Sequence, residues 1–372
     1  MQLAPRERAA GAIGLTVALG FVPVLRAQPE AAGSGSVSGH TGVYADSDST
    51  HVVTTIVQGN VALPAGVALG ADLLVDVISS ASVDVVSAAS PAVDVVSGAS
   101  PGFREVRWQW SGRAGIFVTP EVDLWLGFTH STESDWDSYA PAAGVGADLA
   151  RRNTRLVASF AFGHNDIGKA GEPRFAALLR TYGADVGLTQ LVDRRTLLGA
   201  SYAMQLAYGL QASPYRRGDI GGTHQAAAEA HPDLRRRHGF TAHGLRYLGA
   251  GVALDGRYRF YLDDWGVSAS LLAATLRLEL GDHWDLRALG RGYFQSGAYF
   301  WRERYALPAD YVSADRELCT FWDAGGGLRL EWHRAGWTVG GKLDGYYYRF
   351  LDYARLDHRV VLLAGIGGSL TW

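Results

Sequence analysis

From about residue 51 onward, apolar side chains recur at every second position, not every third or fourth. Val67, Leu69, Ala71, Leu73, Val75 and Val77 share one face of an extended segment, with Asp72 and Asp76 on the other. Trp108, Trp110, Ala114, Ile116 and Val118 alternate with Arg107, Gln109, Ser111 and Arg113. Tyr258, Phe260 and Leu262 alternate with Arg257, Arg259 and Tyr261. Leu286, Ala288, Gly290 and Phe294 alternate with Asp285, Arg287, Arg291, Tyr293 and Gln295. A period of two predicts β-strands. Charge on alternate residues means that one face meets water and the other an apolar phase.

That apolar phase is either a soluble sandwich core or lipid, and two features favour lipid. The segments run to roughly 11–15 residues, which suits a tilted membrane crossing better than a soluble strand. Aromatic residues also gather near segment ends: Trp136, Trp265, Trp284, Trp301, Trp332, Trp337 and Trp372. Rings with an apolar body and a polar tip favour the headgroup zone.

Link lengths alternate as well. Short links fall at residues 64–65, 119–120, 150–153, 193–194, 249–250, 281–283 and 333–336. Longer ones fall at residues 79–102, 165–176, 211–236 and 297–320. This is the pattern of an up-and-down barrel with short periplasmic turns and long extracellular loops. About fifteen strands follow His51, an odd number; parity asks for one more upstream, and residues 39–45 with Val43 and Tyr44 are the candidate. The fold class expected is therefore all-β: a transmembrane antiparallel barrel of about sixteen strands, or fourteen if a short strand is loop. The last segment fits, because Val360, Leu362, Ala364, Ile366, Leu370 and Trp372 share one face.

The amino terminus reads as an export signal. Arg6 and Arg8 precede an apolar run over residues 9–25, and Ala27 offers a cleavage site before Gln28. The competing reading is a single transmembrane anchor, against which the short run and Pro23 count. The domain reading is a signal peptide over residues 1–27, a flexible Gly/Ser-rich lead-in over 28–38, and a barrel over 39–372 with a repeat loop at 79–102. Export through the Sec pathway to a bacterial outer membrane follows from it.

Composition sharpens this picture. Hydrophobic residues make up 48% and Gly numbers 47, yet the mean hydropathy is near zero. Alternation cancels the average, whereas a helical membrane protein needs runs of roughly 20 apolar residues. The net charge of -3 gives no basic face for nucleic acid. Cys319 is the one cysteine and cannot close an internal disulfide. No CxxC, CxxCH or HExxH pattern is present, so no metal or cofactor is expected.

A threefold repeat stands out. Val75-Asp-Val-Ile-Ser-Ser-Ala-Ser82, Val83-Asp-Val-Val-Ser-Ala-Ala-Ser90 and Val93-Asp-Val-Val-Ser-Gly-Ala-Ser100 place Asp76, Asp84 and Asp94 in register. Carboxylates and hydroxyls suit a hard cation, but calcium usually takes six or more oxygens, which favours an ordered β-rich loop. Further elements follow. They are Ser131-Thr-Glu-Ser-Asp-Trp-Asp-Ser138, Ser213-Pro-Tyr-Arg216, His231-Pro-Asp-Leu-Arg235, Arg257-Tyr-Arg-Phe-Tyr-Leu-Asp-Asp-Trp-Gly266, Arg291-Gly-Tyr-Phe-Gln-Ser-Gly-Ala-Tyr-Phe300 and Val312-Ser-Ala-Asp-Arg316. In this order they resemble a family of uncharacterised predicted outer-membrane barrels, labelled as a domain of unknown function. That family is marked by a Val-Asp-x-Ile/Val-Ser-Gly/Ser-Ala-Ser element. The resemblance spans nearly all the mature chain and implies an outer-membrane barrel, but supplies no established activity or catalytic residues. Three copies of the Asp-Ser element depart from the pattern.

The strongest polar cluster is Arg257, Arg259, Tyr261 and Asp263 facing Asp285, Arg287, Arg291, Tyr293 and Gln295, with Arg277 and Glu279 between. It reads either as an anion or ligand constriction or as a ladder of cross-strand ion pairs. The interleaving of both signs favours the ladder, as does a second patch of Asp323, Arg329, Glu331, Lys342 and Asp344. No catalytic set emerges: His130, His164 and His243 stand in no telling order. Asp263 and Asp264 are adjacent on a strand and so point to opposite faces. The function expected is a channel or transporter-like barrel for a small solute or ion, with a partly occluded lumen. A barrel scaffolding an envelope complex is the alternative, and an outer-membrane hydrolase is the third class. Expected partners are outer-membrane lipids and lipopolysaccharide, the barrel-assembly machinery and envelope proteins.

Overall fold

The computed structural model describes residues 32–80, 103–221, 225–313 and 315–372. The expected signal peptide, and Asp84 and Asp94 of the repeat, lie outside the described residues.

The chain closes into a barrel of sixteen antiparallel strands, each paired with its neighbours along the sequence. The first nine are β1 (Gly35–Asp46), β2 (Thr50–Leu63), β3 (Val67–Ser80), β4 (Phe103–Thr119), β5 (Val122–Thr132), β6 (Trp136–Leu149), β7 (Thr154–Ile167), β8 (Ala177–Asp193) and β9 (Thr196–Gly209). β10 (Arg217–Ile220) and β11 (Gln225–Ala228) form a separate two-stranded hairpin. The barrel resumes with β12 (Leu234–Gly249), β13 (Val252–Asp263), β14 (Ser268–Leu280), β15 (Trp284–Gln295), β16 (Phe321–Arg334), β17 (Trp337–Phe350) and β18 (His358–Thr371).

Closure is made by β1 against β18, with Val37 opposite Leu370 and Val43 opposite Ala364. The parity argument for a strand upstream of His51 thus holds. That strand starts at Gly35, before the expected Gly39, because Ser36 and Val37 pair with Thr371 and Leu370 along the full length of β18. The expected short links are turns at one end of the barrel, while the links at 47–49, 133–135 and 264–267 are short ones at the other end. At Ala250-Gly251 and Ala335-Gly336 both central residues have positive φ. That mirror-image turn matches the right-handed twist of the flanking strands.

The barrel is built inside out. Leu126, Leu272 and Ile366 on the outer face are 67%, 63% and 67% exposed, while Asp123 and Asp323 on the inner face are 2%. Lipid is the phase that stabilises such an outer face, and closure leaves no unpaired strand edge inside it. Trp284, Trp337 and Trp372 lie exposed on this face near the short-turn end, as a girdle requires. Trp265 and Trp301 do not join a girdle: both are buried in a cluster at the long-loop end. Trp136 faces the lumen, where its indole donates to Asn165 Oδ1 at 3.2 Å.

Candidate functional site

Two of the long links do not hang free. The segment between β9 and β12 and the segment between β15 and β16 pack on each other. Gly221 donates its amide to Tyr305 O at 2.7 Å, and Ala230 and Val312 exchange amide bonds at 2.9 Å. Apolar side chains beneath this lattice form a small core of Trp265, Phe300, Trp301, Leu318, Phe321 and Phe350. Core aromatics on loops are the reverse of a solvated loop. They bury surface that neither water nor lipid would cover.

Buried polar groups fix the two segments together. Glu229 accepts from Ser213 N at 2.9 Å and from Ser313 Oγ at 2.6 Å, and Arg216 lies 3.4 Å away. Burial pushes the Glu229 carboxyl up, but Arg216, His231 and Ser313 outweigh burial and hold it down to about 2. Asp219 on the hairpin takes Arg304 at 3.0 Å and Arg355 at 2.9 Å. Arg316 reaches across to Asp48 in the β1–β2 turn and donates to Leu356 O at 3.0 Å. The two segments therefore form an ordered cap stitched to the opposite rim.

Below the cap lies a lumen cavity of about 610 Å³. Small-molecule sites span roughly 300–1,000 Å³. Its lining includes Arg107, Arg235, Arg237, Arg259 and Arg291, with Trp265 and Phe321 from the cap side.

The predicted polar residues lie on the inner wall at different heights, with Gln295 level with Tyr261 at the cap end and Asp285 level with Glu279 at the short-turn end, and they divide in two. One part is a ladder of ion pairs. Arg291 forks onto Asp323 with both closest contacts at 2.8 Å. Asp263 Oδ2 accepts from Arg235 at 2.5 Å and from Tyr261 at 2.7 Å, while its Oδ1 accepts the amides of Trp265 and Val267, each at 3.0 Å. Gln295 donates to Glu317 O at 2.7 Å and accepts from Tyr293 at 2.7 Å, so it holds the cap to the wall. Arg287 and Arg329 share Glu331 at 2.7 and 2.5 Å. Asp76, the described member of the repeat, pairs with Arg107 and accepts from Thr54 at 2.5 Å, as a wall residue. Asp264, by contrast, points outward to Arg236 at 3.3 Å.

The other part is unpaired. Arg257 and Arg259 make no ion pair among the described residues, and neither does Arg237 on β12. Sequence reasoning did not single out Arg237. It lies in the run Arg235-Arg236-Arg237 at the start of β12, directly after the long link expected over residues 211–236. Carrying the alternation of β12 back two residues from Gly239 puts Arg237 on the inner face with Arg235.

Two other constellations bring together groups that could carry chemistry. Asp285, Glu331 and His333 each bring one ligand atom within 4.8 Å of the others. Both Glu331 oxygens already accept from arginines, so a cation there would face two guanidinium groups. In the cap, Ser313 Oγ donates to Glu229 and not to His231, whose Nδ1 lies 3.1 Å from Gln211 O. Ser313 is fully buried, so this set has no accessible nucleophile.

The fold and its inside-out faces define an outer-membrane-type β-barrel with a capped, charged lumen. Residues 22–178 and 178–353 match the family described as protein of unknown function (DUF3570). The chain belongs to this family, in keeping with the resemblance its motifs carry. No curated protein matches the chain. Among solved structures it is similar to a bacterial polysaccharide outer membrane secretin, at 10% identity and a TM-score of 0.52, covering 92% of this chain and 98% of that one. It also matches the siderophore receptor PirA from Pseudomonas aeruginosa, at 14% identity and a TM-score of 0.46, covering 91% of this chain and 62% of that one. PirA from Acinetobacter baumannii matches at 13% identity and 0.46, covering 87% and 53%. The first likeness speaks to the fold alone.

Proposed function

We propose that this chain is an outer-membrane conduit for a small polar solute, held closed at its extracellular end by the cap. The observation that carries this reading is the lumen cavity of about 610 Å³ beneath loops that have a core of their own. A barrel that served only as a stiff scaffold would have no need of a solute-sized polar chamber. The ion-pair ladder supports the wall around that chamber, and the cap separates it from the outside. In this reading the short turns face the periplasm, and the chain reaches the outer membrane by export and barrel assembly.

The test is solute influx into liposomes carrying the folded barrel. Influx of small polar solutes above that of protein-free vesicles, rising when Glu229→Ala loosens the cap, is the expected result. Influx equal to protein-free vesicles for both proteins would overturn the reading. A stoichiometric partner recovered from native membranes would then favour the scaffold.

A further inference from the structure

Among the described residues that line the lumen cavity, the ion-pair ladder leaves two arginines without a carboxylate. Arg107, Arg235 and Arg291 each have a carboxylate: Asp76, Asp263 and Asp323. Arg237 and Arg259, which line the same cavity, have none among the described residues. The register shows why. Arg259 lies opposite Thr241 on β12 and Leu271 on β14. Arg257, the next inward position on β13, lies opposite His243 and Ala273. Arg237 lies opposite Asp263, but both oxygens of that carboxylate are used by Arg235, Tyr261 and the turn amides of Trp265 and Val267. No neighbouring strand supplies a free acid at this level.

Both arginines also line one hollow in the wall, together with Gln205 and Gly239. Gly239 stands between them on β12, and a Cβ there would lie 3.4 Å from the Arg259 guanidinium. The missing side chain lets Arg259 lie across β12 at Gly239, two residues along the strand from Arg237. Arg237 in turn donates to Gln205 Oε1 at 2.6 Å. With its oxygen taken, the Gln205 amide keeps an NH2 donor that makes no hydrogen bond among the described residues. The one carboxylate lining the adjoining hollow is Asp185, which accepts from Ser159 and makes no ion pair. Two guanidinium groups against one carboxylate leave this hollow net positive in a confined lumen.

We infer that Arg237 and Arg259, with the Gln205 amide, form a binding site for an oxyanion group, phosphate or carboxylate, on the solute that occupies the lumen. Planar forked donors match either group, and charge-assisted bonds are the strong ones. The biological meaning of the site rests on the conduit reading, but its existence does not.

The experiment uses the folded barrel in detergent micelles and two probes, inorganic phosphate and malonate, with binding followed by calorimetry. Saturable binding of at least one probe is expected, and a preference between them distinguishes a phosphate-bearing from a carboxylate-bearing solute. Arg237→Gln and Arg259→Gln are each expected to weaken it by about tenfold or more, with lysine at either position restoring part of the loss. Arg246→Gln, which removes an ion pair to Asp193 at the short-turn end, is expected to leave binding unchanged. Binding of neither probe, or binding indifferent to both arginines, would overturn the site. Reversal potentials in a salt gradient separate the two claims. Conductance without anion binding would remove the site and leave the conduit; arginine-dependent binding without conductance would do the opposite.

Discussion

Ser313 Oγ donates to Glu229 Oε1 at 2.6 Å across a sequence separation of 84 residues, and this bond joins the two long loops that close the lumen. Both groups are buried, so removing one leaves the other without its partner. Glu229→Ala is expected to destabilise the cap by about 3–5 kcal/mol, the cost of breaking a buried charged pair. The barrel strands should be spared. Hydrogen exchange should show faster turnover at the Tyr305 and Val312 amides, with β-strand protection unchanged. Unchanged cap exchange would mean that the apolar core alone holds the loops.

The same carboxylate makes the cap acid-sensitive. Glu229 is held from its usual 4.5 down to about 2, since Arg216, His231 and Ser313 outweigh the upward push of burial. A carboxyl lowered in the folded state adds stability that is complete above its unfolded value. That stability is lost as pH falls through the folded one. Asp219 is lowered too: burial pushes it up, but Arg355 and Arg304 outweigh burial. Corrected for intrinsic rates, cap exchange should therefore be flat between neutral pH and about pH 5 and accelerate below it. A cap that loosened first on the alkaline side would contradict this assignment.

Cys319 offers an independent probe. Its thiol is fully exposure-free, and burial pushes it up to about 12. The thiolate is the reactive form. In the folded barrel at pH 8, a maleimide should label Cys319 far more slowly than in the denatured chain. Equal rates would show that the cap core around Trp301 and Phe321 is not formed.

The division between what the sequence disclosed and what it hid follows the physics of each part. Strand number was legible because alternation and link parity are local, and a slip by one residue would turn Arg257 and Arg259 toward lipid. Asp263 and Asp264 could be assigned to opposite faces for the same reason. The cap was not legible. Its contacts, such as Ile220 with Tyr305, join segments without periodicity. Trp265 and Trp301 look like girdle residues until their neighbours are known. The split of the lumen cluster was hidden as well, because the partner of each arginine depends on register, which alternation does not fix.

The two faces should respond differently to the same substitution. Leu272→Arg places a cation on the lipid face in mid-strand and is expected to cost about 2–4 kcal/mol. Gln109→Arg places it in the lumen cavity and is expected to cost less than about 1 kcal/mol, as a change with water on hand. Urea unfolding in lipid vesicles measures both. Equal costs would mean that the facing is wrong.

The central claim is that a solute-sized lumen is gated by the cap, and single-channel recording in planar bilayers tests it most directly. Wild-type barrel should show rare or small current steps, and Glu229→Ala should show larger or longer ones from an equally well-folded protein. Silence from both folded proteins at every voltage would contradict it.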